Sequence, residues 1–353
     1  MSSVDTQLHA ALARAVAGVP QHELRRRVAA VSHRYRTEQV DDATPGMSDP
    51  LDALAYAVVR MPATFRALYV ALSMAEHHLD APFTTQLDLG GGTGAAAWAA
   101  AALWPAITTE IVERQSAAIR LGKHLAEGNF ARNWRWTPAD LRNWSAPGPV
   151  DLVTIGYVLN ELAADRRDDL IRAAAQSATT IVLVEPGTPG GHRRTLAARD
   201  LLTAQGFTIA APCPHQGPCP IDWCHFAARL PRTELHRILK DGTRNYEDEK
   251  FAYLVATRRS VRTAAARVLT RPTRRKGQVV LDLCTPGRYG GPRRRTEVVA
   301  VVSPRPGRGV GCGVGCGAQA MMSRLISPST MVKVKSRSTV PPGKLPSRWW
   351  VAT

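Results

Sequence analysis

The chain has 353 residues, 44% of them hydrophobic, with 46 Lys+Arg against 29 Asp+Glu and a formal net charge of +17. A chain of this length buries a core without disulfide staples, and its most apolar run, "AAAWAAAALWPAI", is too short to span a bilayer. Composition therefore argues against a helical membrane protein and against a small disulfide-knit scaffold.

The opening "MSSVDTQLHAALARAVAGVP" lacks a basic start followed by a sustained apolar run, so a cytoplasmic location is expected. In a reducing compartment, clustered cysteines serve as metal ligands or redox groups more readily than as disulfides. The charge is unevenly placed. Residues 258–353 hold 20 Lys+Arg and 2 acids, whereas residues 1–257 hold 26 and 27. A basic segment of this kind reads either as a nucleic-acid contact, with Arg271, Arg274, Arg275 and Lys276 facing phosphate, or as a solvated tail.

Residues 1–80 read as a helical subdomain. "LDALAYAVVRMPATFRALYVALSMAEHHL" places Leu54, Val58 and Met61 on one face. Pro62 then suits a first-turn position, with Phe65, Leu68, Tyr69 and Leu72 forming a second stripe. From residue 86 strands and helices alternate. "QLDLGG", "TTEIVERQ", "WRWTPADL", "DLVTIGYVL" and "TTIVLVEPG" read as strands, and "TGAAAWAAAAL", "SAAIRLGKHLAEG" and "ADRRDDLIRAAAQ" as helices. Such alternation predicts a parallel sheet covered by helices. "KFAYLVATR" reads as a further strand at the end of that sheet, and "GQVVLDLC" as another beyond the basic linker "RPTRRKG". After about residue 286 periodicity gives way to Gly, Pro and Arg, and residues 287–353 read as a mostly disordered tail.

"LDLGGGTG" fits D-x-G-x-G-x-G with Asp88, Gly90, Gly92 and Gly94. Glycines between a strand and a helix let the backbone turn sharply and approach a ligand. Glu113 ends the next strand, where an acid accepts hydrogen bonds from ribose hydroxyls. Asp140, after a third strand, is placed to contact an adenine. The order resembles class I S-adenosylmethionine-dependent methyltransferases rather than dinucleotide enzymes, whose G-x-G-x-x-G form is missing. None of the six cysteines lies on the core strands of that sheet, and the position after the fourth strand reads "GYVLNEL" rather than an Asn/Asp-Pro-Pro-aromatic loop. Asn160 and Glu161 read equally as pocket lining or as a cap and a surface pair, so the catalytic residue is left unknown.

"APCPHQGPCPIDWCHFAARL" gathers Cys213, Cys219 and Cys224 beside His215 and His225. Their intervals match neither zinc-ribbon pairs nor the bacterial ferredoxin run. Three thiols in one proline-bounded loop still read as a metal site, because exposed thiols at that density invite oxidation. His215 or His225 would complete a Cys₃His zinc site; Cys284 would give four thiolates and permit an iron–sulfur cluster.

The cysteine block, with "AYAVVRMPATF", "LDLGGGTG", "VLNEL", "LVEPGTP", "YEDEKFAYLVATR" and "GQVVLDLCTP" in the same order, resembles the methyltransferase-like family associated with the mitochondrial small ribosomal subunit, in its bacterial branch. The resemblance covers roughly residues 50 to 286. It implies a [4Fe–4S] cluster on Cys213, Cys219, Cys224 and Cys284, and a role in small-subunit assembly or translation. The small subunit and its rRNA are the implied partners, with no membrane or DNA partner expected. Past "LDLCTP" the chain departs from the family's pattern.

The expected organisation is an α/β protein of the class I methyltransferase kind. A helical subdomain occupies residues 1–80 and the Rossmann-like domain residues 81–210. A cysteine-rich metal-binding loop and final strand follow at 211–258, a basic linker with the Cys284 strand at 259–286, and the tail at 287–353. Two other readings stand beside it: an active rRNA methyltransferase, and a zinc-stabilised RNA-binding module with a vestigial cofactor pocket.

Overall fold

The computed structural model describes residues 3–36, 49–80, 82–128, 130, 133–146, 148–240, 242–276, 278–286, 293–300 and 333–335. They divide into two units, residues 1–212 with 222–262, and residues 213–221 with 263–353.

The first unit begins with helices α1 (Ser3–Ala15), α2 (Gln21–Arg36) and α3 (Pro50–His78). Asp49 starts α3: its carboxylate accepts the backbone N–H groups of Leu51 and Asp52 at 2.8 and 2.9 Å. Two of the donors that a helix start leaves open are thus satisfied, and Pro50 stands where its missing N–H is no loss. A break was expected at Pro62, but α3 runs through it as one helix of 29 residues. Leu54, Val58, Met61, Phe65, Leu68 and Leu72 are all buried along its length. Burial of each is worth about 1.5–3 kcal/mol, and together they outweigh the roughly 3 kcal/mol of an interior proline.

The sheet of this unit comprises β1 (Thr85–Leu89), β2 (Thr108–Glu113), β3 (Trp134–Pro138), β4 (Val150–Gly156), β5 (Ala178–Pro186), β6 (Thr208–Ala211), β7 (Phe226–Pro231) and β8 (Tyr246–Thr257). Its order is β3-β2-β1-β4-β5-β8-β6, with β7 also on β8. The first five strands are mutually parallel. β8 runs antiparallel to β5 and to β6. The strand read as "KFAYLVATR" therefore lies inside the sheet, not at its end. Residues Phe251–Thr257 are buried without interruption, the signature of a strand covered on both faces rather than of an edge. β6 and β7 share the other side of β8, at Thr208↔Thr257 and at Phe226↔Phe251 through Pro231↔Tyr246. The cysteine block is the connection between them.

Helices α4 (Ala95–Leu103), α5 (Ser116–Ala126), α6 (Ala164–Ser177) and α7 (Pro189–Ala204) connect successive strands, and α8 (Glu234–Leu239) follows β7. α4 is buried from Ala95 to Ala101, and Trp98 in it meets Phe130 and Trp134 edge-on at 5.3 and 5.5 Å. Leu8 of α1, Phe65 and Leu72 of α3, Trp98 and the β8 residue Val255 belong to one buried cluster. Five parallel strands with a reversed strand before the sixth make this a Rossmann-like class I methyltransferase fold with a mixed sheet.

The second unit holds an antiparallel sheet of β9 (Arg267–Val268), β10 (Thr273–Arg275), β11 (Gln278–Thr285), β12 (Arg293–Ala300) and β13 (Lys333–Lys335), in the order β10-β11-β12-β13 with β9 on β11. The basic linker is thus partly strand, with Arg274 and Arg275 paired to Val279 and Gln278. Residues 293–300, expected within the disordered tail, pair with β11 from Gln278↔Ala300 to Thr285↔Arg293. Their β-branched residues suit a ladder that β11 supplies, a partner that local composition does not reveal. Apart from 333–335, the remaining tail lies outside the described residues, Cys312 and Cys316 included. No helix among the described residues is long and apolar enough to cross a membrane.

Candidate functional site: a cofactor pocket at the strand-order reversal

β1 is flanked by β2 on one side and β4 on the other, so the strand order reverses there. In open α/β sheets the crevice beyond the strand ends at such a point is where ligands bind. The turn after β1 enters that crevice with Gly90, Gly92 and Gly94 at φ +69°, +55° and +92°, a region that costs a side-chain-bearing residue about 1–2 kcal/mol. Gly91, which the spacing pattern passes over, is the tightest of the four. A Cβ there would stand 2.2 Å from Asp88 Oδ2 and 2.6 Å from Ile111. Beside Gly92 the opposite holds: a Cβ would meet no heavy atom within 4 Å. The backbone is bare there and the space is open.

Asp88 is buried beneath this turn. Its Oδ1 accepts the Thr154 hydroxyl at 2.7 Å, Thr154 Oγ1 accepts Gln86 Nε2 at 3.0 Å, and Gln86 Oε1 accepts the Thr109 hydroxyl at 2.9 Å. This polar ladder ties β2, β1 and β4 together. Asp88 Oδ2 has no hydrogen-bond partner among the described residues. Burial pushes the Asp88 pKa up to about 7, with the Thr154 hydroxyl opposing and the Glu113 charge adding to it.

Glu113, at the end of β2, accepts the backbone N–H of Gly92 at 3.0 Å and that of Gln115 at 2.8 Å. Burial raises its pKa while these donors hold it down. Asp140 follows β3 and accepts the Arg142 backbone N–H at 3.0 Å. The Arg142 guanidinium also grips it, with Arg114 at 3.9 Å. The Arg142 side chain is the main reason its pKa falls to about 2. Trp136 of β3 donates its indole N–H to Gly92 O at 3.2 Å and pins the turn from below.

Asp88, Gly90, Gly92, Glu113 and Asp140 line a single pocket, joined by Gly91, Arg114 and Tyr157. Gly94 stands behind it as the residue before α4. Arg114 and Arg142 were not anticipated, although each directly follows or closely trails a strand-ending acid in "VERQ" and "ADLR". In "GYVLNEL", Glu161 lines the pocket and Asn160 does not. The residue that matters more is Tyr157. It holds φ at 62°, donates its N–H to Val184 O at 2.7 Å, and donates its hydroxyl to Glu249 Oε1 at 2.9 Å. Arg60 of α3 grips the same carboxylate at 3.0 and 3.2 Å. Burial together with the Glu249 charge lifts the Tyr157 pKa well above its ordinary value, so its hydroxyl stays protonated.

Cys213, Cys219 and Cys284 belong to the second unit and Cys224 to the first. None of the four is in a disulfide. Cys284 Sγ lies 3.4 Å from His215 Nε2, both side chains being buried. His215 Nδ1 stands 3.0 Å from Gly217 O, which accepts only, so Nδ1 carries a proton and Nε2 is the nitrogen that faces the Cys284 sulfur. His225 stacks on Trp223 instead. Among the described residues, no three or more Cys, His, Asp or Glu side chains are gathered as a metal-binding group in this structure.

A protein family described as mitochondrial small ribosomal subunit Rsm22 matches residues 50–295. The human protein named ribosome assembly protein METTL17, mitochondrial, is 29% identical over 255 residues, covering 65% of this chain. The chain spans about half of that curated relative, 55% of its length. Among solved structures, precorrin-6y C5,15-methyltransferase from Geobacter metallireducens is 18% identical, covering 54% of this chain and 88% of its own with a TM-score of 0.37. Magnesium protoporphyrin IX methyltransferase from Synechocystis with bound SAH is 15% identical, covering 65% and 93% with a TM-score of 0.37.

Proposed function

The chain belongs to the mitochondrial small ribosomal subunit Rsm22 family, and from that premise we propose that it is a methyltransferase-fold assembly factor of the small ribosomal subunit that binds S-adenosylmethionine. The observation that carries the cofactor half is the bare backbone at Gly92 facing open space, with the Glu113 carboxylate against it. Glu113 would take the ribose hydroxyls in exchange for its bond to Gly92, and Asp140 would stand at the adenine end. Asp88 would hold the turn in shape from beneath. When bound, the cofactor supplies a methyl group on a sulfonium; the chain's own part is to orient it and exclude water. The human relative is named a ribosome assembly protein, which supports the other half.

The test has two arms. Calorimetry of the full chain with S-adenosylmethionine should show one site, and Glu113→Gln should weaken it. Co-sedimentation should place the chain with small subunits and not with large ones. A chain that binds cofactor and ignores both subunits would overturn the assembly reading. Labelled methyl transferred to small-subunit rRNA would favour the second reading, an active rRNA methyltransferase, for which Tyr157 beside the pocket is the supporting feature.

The metal is part of the proposal too. Cys213, Cys219, Cys224 and Cys284 would ligate a [4Fe–4S] cluster, with zinc as the alternative. Thiol chemistry and family membership support this reading.

A further inference from the structure

Trp223 is the large hydrophobic side chain left exposed among the described residues, at 44%. A single exposed apolar residue usually needs no explanation, but this one is held rigidly. Its indole N–H donates to Gly187 O at 3.1 Å. Its ring stacks on His225 with centroids 4.5 Å apart and planes 26° from parallel. One face is covered by the imidazole, and the exposed area belongs to the rest of the ring.

The same segment is tied to the start of α7. His192 Nδ1 meets Asp222 O at 3.2 Å, and Gly187 immediately precedes Thr188, the residue that caps α7. On that helix Arg193 and Arg194 line a pocket that Arg167 of α6 also lines. The carboxylate among its lining residues is Asp168, which is already engaged by Arg172 at 3.7 Å. Arg194 Nε bonds Glu185 at 2.6 Å, yet its Nη2 is buried with no hydrogen-bond partner among the described residues. A buried donor in that state carries a penalty that an incoming anionic oxygen would remove.

We infer that this face of the first unit is a site for single-stranded RNA, with one base stacked on Trp223 and a backbone phosphate in the arginine pocket between α6 and α7. Outward aromatic rings beside cationic pockets are how unpaired strands are held without sequence readout. A duplex keeps its bases stacked within itself and offers none to the indole. The inference deepens the assembly-factor reading and rests on it for the presence of RNA.

The experiment is fluorescence anisotropy of the full chain with a labelled single-stranded oligoribonucleotide of about 12 nucleotides, within the site sizes such proteins cover. Trp223→Ala should weaken binding about ten-fold, in the range of one lost base stack, and Trp223→Phe should restore most of it. Arg193→Ala, at an exposed position, should lower the slope of log affinity against log salt by about 0.7, one phosphate of a single strand. Unaltered melting temperatures would show that neither change acts through the fold. Parental affinity in both variants overturns the inference, as does a preference for duplex RNA. Failure of the assembly-factor reading is seen separately, in a parent chain that does not co-sediment with small subunits.

Discussion

Glu113 Oε2 accepts the backbone N–H of Gly92 at 3.0 Å, so the acid that ends β2 closes onto the turn that follows β1. Two strand ends are latched to each other across the mouth of the pocket. A ligand hydroxyl entering there exchanges for a backbone donor, and the carboxylate never loses all its partners.

Gly92→Val should abolish cofactor binding while leaving most of the fold. The new Cβ meets no heavy atom within 4 Å, and the side chain projects into the open space where a ligand would lie, from a backbone with φ at +55°. That φ costs about 1–2 kcal/mol, visible as a small fall in melting temperature. Gly91→Ala should do the reverse, because its Cβ collides with the Asp88 carboxylate and Ile111. Overpacking of that kind costs about 1–3 kcal/mol, so its melting temperature should fall further. Calorimetry and thermal denaturation of both variants check the contrast.

Asp88 makes stability fall as pH rises. Its pKa is raised from 3.8 to about 7 in the folded chain, so between those values the native state holds a proton that the unfolded state has released. Stability from this group is therefore greatest below about pH 4 and is lost progressively toward pH 7. Glu185, raised to about 7 mainly by burial, acts in the same direction. Asp88→Asn keeps the acceptor for Thr154 and removes one titration. Urea denaturation of parent and variant from pH 5 to 8 should give a difference that grows with pH, in favour of the variant. A constant difference would mean that Asp88 ionises normally.

Arg60→Met should destabilise the chain by about 3 kcal/mol, since it leaves the buried Glu249 carboxylate without its cation. Changing both partners, Arg60→Met with Glu249→Gln, should recover much of the loss. Equilibrium denaturation of the two single variants and the double variant measures the coupling. Additive losses would show that the pair contributes little beyond its separate contacts.

Cys284→Ser, in anaerobically purified protein, should lose most of its iron, its acid-labile sulfide and the visible absorption of a cluster. His215→Ala should keep all three, although His215 Nε2 lies 3.4 Å from Cys284 Sγ, because the proposed ligand set is four thiolates. Zinc retained by Cys284→Ser but lost from His215→Ala or His225→Ala would describe a Cys₃His site and overturn the cluster.

Much of the first unit was legible in the sequence alone. The alternation of strand and helix, the glycine turn and the acids at the ends of β2 and β3 all depend on residues within a few positions of one another. Their signals are local: a period of two or 3.6, a breaker, a charge after an apolar run. Asp88, Gly90, Gly92, Glu113 and Asp140 stand out by such signals, and they line one pocket. The family was legible too, from the order of its short motifs.

Tertiary structure alone decided the rest. Pro62 stays inside α3 because buried side chains before and after it share one core, which propensity at a single residue does not register. β8 stands between β5 and β6 because both its faces are covered, and residues 293–300 form a strand because β11 offers a ladder. Arg60 and Glu249 are separated by 189 positions, Tyr157 and Glu249 by 92, and His215 and Cys284 by 69. Gly91 matters because Asp88 and Ile111 press against it from two different strands. Pairings over such distances leave no period in the chain. They are set by how strands order and cross over, so the sequence reveals the parts of this pocket and the packed fold decides which of them meet.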